Sequence, residues 1–415
     1  MSQGAVLEIE SRPSLLARIG TAFLVIATAH FVIDFLATLV PSSLGLIEVR
    51  CGLSHEQAAW LLGLGPFAAG LSQPICALIS DRLRTRILIV IGIVVAGIGF
   101  GMIGLTTNSV TLSTIYVVGM VGVGMFHPIA ATTAAQLHYD RRNSATGVFF
   151  VAGMIGGVAG SFVWPRWLSD NGGFDSLPYI VAPILLFALV VHRKLKDITP
   201  IKQHTWHTSD LSFLRGNWTN VIVLYAASSM RYCINTALLY LFVRWTEQVV
   251  SAEHAQWSAE AVAKYSAPIV GNLNSCMIFG MGLGGLFGGA LVSPGKEKGP
   301  LIWVPLFFAP LVALFPLLGI QISYLIAVFA GIGFASMIPV SVALAQHLLP
   351  HRANLASSLM MGGAWVVATI GPRLAEFGVT HFGIETTFAL TAAVLAASGL
   401  ICCAFREPTA PSVAP

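Results

Sequence analysis

Four ionisable side chains stand inside stretches that are otherwise apolar. His30 and Asp34 lie in "AHFVIDFLATLVP", His127 in "GVGMFHPIAATTAA" and Arg231 in "MRYCINTALLYLFVRW". Asp34 follows His30 by four residues, so on a helix the two share a face. A carboxylate beside an imidazole can load and release a proton; held still, it is a static hydrogen-bonded pair. Arg231 keeps its charge and must meet water, a carboxylate or an anion. Asn235 follows it one turn on. An anchor for a substrate anion, a counter-ion to Asp34 and a structural salt bridge are all open to Arg231. His127 precedes Pro128, whose missing N–H frees a carbonyl one turn back, near Gly124. Its imidazole could satisfy such a carbonyl, pack against another helix, or face a polar cavity.

The elements that hold these residues must cross a bilayer. Of 415 residues, 56% are hydrophobic and 10% charged, and the mean hydropathy is +0.80. A soluble chain carries about 25% charged residues. Composition therefore predicts a polytopic membrane protein. Twelve apolar segments are each near the roughly 20 residues that span a bilayer. They fall at about 16–45, 54–80, 86–106, 110–137, 143–168, 177–194, 217–247, 267–293, 300–319, 321–348, 354–378 and 384–405. They are too long for strands and do not alternate, so helices are expected. Residues 1–15 hold Glu8, Glu10 and Arg12 without an apolar run, so no cleavable leader is expected.

All but six of the 22 Lys and Arg fall at one set of segment ends. The opposite ends hold Arg50, Arg166, Arg244, Lys264 and Arg373, and Arg231 lies within a segment. Basic residues accumulate on the cytoplasmic side, so both termini are expected there, in a bacterial cytoplasmic membrane. The net charge of +4 is modest and gives no nucleic-acid signal.

The hydrophilic stretch "LKDITPIKQHTWHTSDLSFLRG" divides the chain into expected units at 1–194, 195–216 and 217–415. "GVGMFHPIAATTAAQLHYDRRNSATG" parallels "GIGFASMIPVSVALAQHLLPHRANLASS" at a displacement of about 210 residues. Each has Gly-x-Gly, a proline, a glutamine, a basic loop and a small-residue helix. Two parallel six-helix repeats suit a transporter that works by alternating access.

With its whole length the chain resembles the major facilitator superfamily. "ALISDRLRTR" carries part of the family's loop pattern in Asp81, Arg82 and Arg86, with Ala77 and Arg84 where the family has glycine. "AHFVIDFLATLVP", "GMFHP" and "MRYCINTALLYLFVRW" are similar to the fosmidomycin-resistance group of drug exporters. The resemblance implies two six-helix bundles and proton-coupled export of a small organic molecule. It also implies that the first, fourth, seventh and tenth spans line a central cavity. His30 and Asp34 are then expected to couple protons, and His127, Arg231, Asn235 and Trp365 to bind substrate. Asp81 with Arg82, Arg86 and Arg142 is expected to form a conformational gate on the inner side.

Ser72, Gln73, Asn272 and Asn274 read as polar contacts between helices, and Tyr232, Tyr240 and Phe126 as aromatic wall. Residues 249–268 read as a surface loop or a short amphipathic lid. His204-x-x-His207 lacks a third ligand, and the six cysteines have no metal or redox spacing, so neither metal nor cofactor is expected. No nucleophile–base set appears, which disfavours an enzyme or receptor. An importer of a nutrient or of a metal chelate such as a siderophore stays open. The expected partners are a small-molecule substrate, protons and the lipid bilayer, and the expected state is a monomer.

Overall fold

The computed structural model describes residues 20–83, 86–137, 142–170, 172–196, 218–293, 295–349, 356–357 and 359–406. Every regular element among them is helical. In the first part these are α1 (Thr21–Ala37), α2 (Leu39–Ser42), α3 (Leu44–Cys51), α4 (His55–Leu83), α5 (Ile87–Met102), α6 (Ser109–Leu137), α7 (Arg142–Ser169) and α8 (Val181–Leu195). In the second part they are α9 (Trp218–Glu253), α10 (Ala259–Leu291), α11 (Lys298–Leu314), α12 (Ile320–Ala335), α13 (Met337–Leu348), α14 (Ala364–Ala368), α15 (Gly371–Phe382) and α16 (Ile384–Leu400). Lipid offers the backbone no hydrogen bonds, so each apolar run closes its own.

Nine helices among the described residues are long and apolar enough to cross a membrane, against twelve expected segments. The other three differ for visible reasons. The first segment is divided into α1, α2 and α3, with breaks at Thr38 and Ser43. The second, α4, is 29 residues long, but several side chains in its last two turns lie outside the described ones. The eleventh is split into a π-helical turn at Leu359–Gly363, then α14 and α15. The linker at 195–216 falls almost entirely outside the described residues, as do His204 and His207.

Residues 249–268 are mostly helix, joined by a short connection at 254–258. α9 runs on to Glu253 and α10 begins at Ala259. His254 stacks on Trp257 at 3.8 Å with Tyr265 on edge, and the Ser258 side chain accepts from the Ala261 N–H. These contacts make a tight turn.

Glycine faces decide which helices meet. The two Gly-x-Gly repeats do the same work in each part. Gly122 faces α5 and Gly124 faces α4; Gly331 faces α10 and Gly333 faces α11. A side chain on any of the four would collide with its neighbour. The two parts touch where α7 packs on α10, and where α4 packs on α14 and α15. Leu186, Trp303 and Phe307 lie exposed on the outside of the bundle, as lipid-facing residues do.

Candidate functional site

α1 brings His30 and Asp34 together, and α6 delivers His127 to the same carboxylate. His30 Nε2 lies 3.3 Å from Asp34 Oδ2, and His127 Nε2 lies 3.1 Å from Asp34 Oδ1. Each ring is anchored through its other nitrogen. His30 Nδ1 donates to the Phe149 carbonyl at 2.7 Å, and His127 Nδ1 donates to the Val123 carbonyl at 2.8 Å. A carbonyl can only accept, so both Nδ1 atoms carry hydrogen. The His30 ring stacks on Phe149 at 4.0 Å and meets His127 edge-on at 5.0 Å. Phe126 and Phe150 close in from about the same distance.

That anchoring fixes what the site can hold. In a neutral ring with hydrogen on Nδ1, Nε2 presents a lone pair. A carboxylate oxygen presents lone pairs too. Each Nε2–Oδ contact therefore needs a proton, or another cation, between its atoms. With both contacts filled, the trio carries one net positive charge; with one filled it is neutral. No Lys or Arg pairs with Asp34 among the described residues. His30 is buried, whereas the Asp34 and His127 side chains are each 25% exposed. The trio is reachable from one side.

α7 makes room for this arrangement. A Cβ at Gly153 would lie 2.5 Å from Asp34 Oδ2 and from His30 Nε2. Gly156 and Gly160, further along the same face, sit against the Phe31 and Phe35 backbone. Trp164 Nε1 donates to the Phe35 carbonyl at 2.6 Å. The "GMIGGVAG" stretch thus seats α1 at a fixed register.

Arg231 requires a correction. It was expected to face a cavity or to answer Asp34. Instead it is wholly buried inside the second part. Its guanidinium donates to the carbonyls of Leu301 at 3.2 Å and Ser398 at 3.5 Å, to Ser341 Oγ at 3.4 Å and to Cys402 Sγ at 3.9 Å. The physical reason is that Pro305, four residues after Leu301, has no N–H to offer that carbonyl, and Ser398 lies in the last turn of α16, so a five-donor side chain can gather both. Asn235, one turn on, points its amide at the thioethers of Met277 and Met281. Trp365, on α14, lies half-buried against Tyr232 at 5.5 Å. Neither Asn235 nor Trp365 touches the trio. Ser72 bonds the Ala69 carbonyl on its own helix, while Asn274 reaches across to Pro41.

Of the expected inner gate, Asp81 and Arg82 end α4 and Arg142 begins α7, and their side chains lie outside the described residues. Arg86 is described: it donates to Thr133 and Gln136 on α6, within the first part.

A charge cluster that the sequence reading missed lies at the end of the bundle away from the termini. Arg244 donates to Glu48 at 2.6 Å, meets Glu247 at 3.1 Å and donates to His55 Nδ1 at 2.5 Å. Arg373 pairs with Glu56 at 2.9 Å and with Glu376. Glu48, His55 and Glu56 belong to the first part, and Arg244 and Arg373 to the second, so the pairs tie the two parts together. Arg244 and Glu48 have side chains only 6% and 8% exposed. Next to them is a small cavity lined by Ser42, Ser43, Gly45, Glu247 and Ser266. The available signal was the set of five basic residues that broke the charge bias. All five have partners: Arg50 with Asp175, Arg166 with Asn272, Lys264 with Glu260, Arg244 with Glu48 and Arg373 with Glu56.

The family model described as Major Facilitator Superfamily matches residues 22–263 and 230–415. The Fosmidomycin resistance protein of Escherichia coli is 20% identical over 385 residues, 88% of each chain. The uncharacterized MFS-type transporter YfnC of Bacillus subtilis is 20% identical over 370 residues, 84% of each. Among solved structures, a point mutant of the nucleoside transporter NupG has a TM-score of 0.73 at 13% identity, covering 93% of this chain and 100% of that one. A D-xylose-proton symporter has a TM-score of 0.68 at 14% identity, covering 93% and 97%.

Proposed function

Because the chain belongs to the major facilitator superfamily, we propose that it is a secondary active transporter that exports a small organic molecule by alternating access, in exchange for protons. The observation that carries the proton part is the trio at Asp34. Both histidines have their Nδ1 hydrogen committed to backbone carbonyls, so each contact with Asp34 needs a proton or another cation in it. Gaining and losing those protons changes the attraction between α1 and α6, which is the link a coupled carrier needs between ion and conformation.

The remaining parts take roles around that core. Asn235 and Trp365 supply polar and aromatic surface from the second part for substrate. Arg244–Glu48 and Arg373–Glu56 close the end away from the termini. With the termini on the cytoplasmic side of a bacterial inner membrane, that closure leaves the carrier facing inward. Asp81, Arg82, Arg86 and Arg142 would serve the opposite state. The carrier works as a monomer, since both parts that alternating access moves belong to one chain. Export is favoured by the relative named for fosmidomycin resistance.

Two measurements test this. Cells that overproduce the protein should tolerate more fosmidomycin than cells lacking it; equal susceptibility argues against export of that compound. In proteoliposomes, an imposed pH gradient should drive flux, and Asp34→Asn should abolish the gradient's effect. The asparagine amide can donate to one ring nitrogen but carries no charge to hold a proton. Full gradient-driven flux through Asp34→Asn would refute the assignment.

A further inference from the structure

The same three residues have the chemistry of a metal site. The candidate ligand atoms of His30, Asp34 and His127 lie within 4.8 Å of one another. Two atoms bound tetrahedrally at roughly 2.0–2.1 Å from one ion are about 3.3 Å apart. The two Nε2–Oδ separations, 3.3 and 3.1 Å, are of that size, one to each oxygen of the carboxylate. A ligating histidine characteristically donates its second ring N–H to a backbone carbonyl or carboxylate, which aims the lone pair at the metal. Both histidines do so, on Phe149 and Val123. Gly153 leaves the space beside Asp34 Oδ2 and His30 Nε2 free of a side chain.

We propose that His30, Asp34 and His127 bind a divalent transition metal ion of the zinc class, with an open coordination position on the exposed side of Asp34 and His127. The donor set selects the metal. Two imidazoles and one carboxylate suit Zn, Co or Ni; an all-oxygen set would suit Mg or Ca, and thiolates would suit Cu(I). Charge balance agrees. One divalent ion on an ionised Asp34 gives the trio a net charge of +1, the same as filling both contacts with protons. The fourth position takes water or an oxygen donor from a bound molecule. The inference goes beyond the proton reading and stands on the ligand geometry alone.

The test uses the full-length protein in detergent, stripped with chelator and titrated with Co(II). The expected result is one equivalent bound, with the intense visible absorption of a four-coordinate cobalt site, displaced by Zn(II). His30→Ala, His127→Ala and Asp34→Ala should each weaken binding at least tenfold and lose that absorption. A His204→Ala/His207→Ala variant should leave both unchanged. Thermal unfolding without metal identifies any variant that fails to fold. For such a variant, zinc-edge X-ray absorption on the wild type decides, and a shell of two imidazoles is expected. No cobalt absorption in the wild type, absorption that survives all three substitutions, or a zinc shell without imidazole overturns the proposal. Gradient-driven flux without metal binding would overturn the metal site while leaving the transport reading intact.

Discussion

Asp34 takes both of its contacts from rings whose orientation is set elsewhere, so small steric changes nearby should act on the site directly. Gly153→Ala is the sharpest such change. Its methyl would overlap Asp34 Oδ2 and His30 Nε2, both 2.5 Å away, and the His30 ring is buried and held on the Phe149 carbonyl. Gradient-driven flux is expected to fall at least tenfold in a protein that still folds, measured in proteoliposomes. Gly147→Ala on the same helix meets nothing within 4 Å and should leave flux unchanged. The sequence made half of this site readable. His30 and Asp34 share a face by spacing alone, but His127 joins them only through the packing of α6 on α1. Arg231 was misread for a related reason. A lone arginine in an apolar helix signals that partners exist, and it does not say whether they are carboxylates or unpaired backbone carbonyls.

Helix seams set the register on which the site depends. α1 lies on the Gly153, Gly156 and Gly160 face of α7, and the contact at Gly156 is with the Phe31 backbone rather than with a movable side chain. Gly156→Ala should therefore push α1 outward and cost about 1–3 kcal/mol, as overpacking does. A lowered thermal midpoint of the purified protein checks this. Gly289→Ala, in α10, faces open space and should be neutral, or stabilising by up to about 1 kcal/mol through helix propensity. Such stripes are legible in sequence as closely spaced glycines, and "GMIGGVAG" reads as a sliding surface. What spacing alone cannot supply is the partner. The stripe turns out to be the bed that positions the His30–Asp34 pair. The repeated Gly-x-Gly was legible for the same reason, because a helix flanked by two close neighbours needs small residues on both sides in either part.

At the scale of the whole molecule, the all-helical architecture followed from apolar length, because membrane burial leaves the backbone few choices. The charge cluster did not follow. Its members are 196 positions apart from Glu48 to Arg244, and only three-dimensional closure brings them together. That closure is the state the ion pairs hold, so weakening them should move the equilibrium toward the opposite opening. The Arg244–Glu48 pair is largely desolvated, and removing one partner of such a pair costs about 2–5 kcal/mol. Arg373–Glu56 is more exposed and should be worth no more than about 1 kcal/mol. Arg244→Gln is thus expected to favour opening at this end by at least about thirtyfold, and Arg373→Gln by no more than about fivefold. Ser266, buried in the cavity beside Glu247, is a suitable reporter. With Ser266→Cys in a chain otherwise free of cysteine, a membrane-impermeant maleimide should label the Arg244→Gln variant much faster than the parent. Arg373→Gln should be labelled at an intermediate rate. Equal labelling of all three would mean that packing of α7 on α10 and of α4 on α15, rather than charge, keeps this end closed.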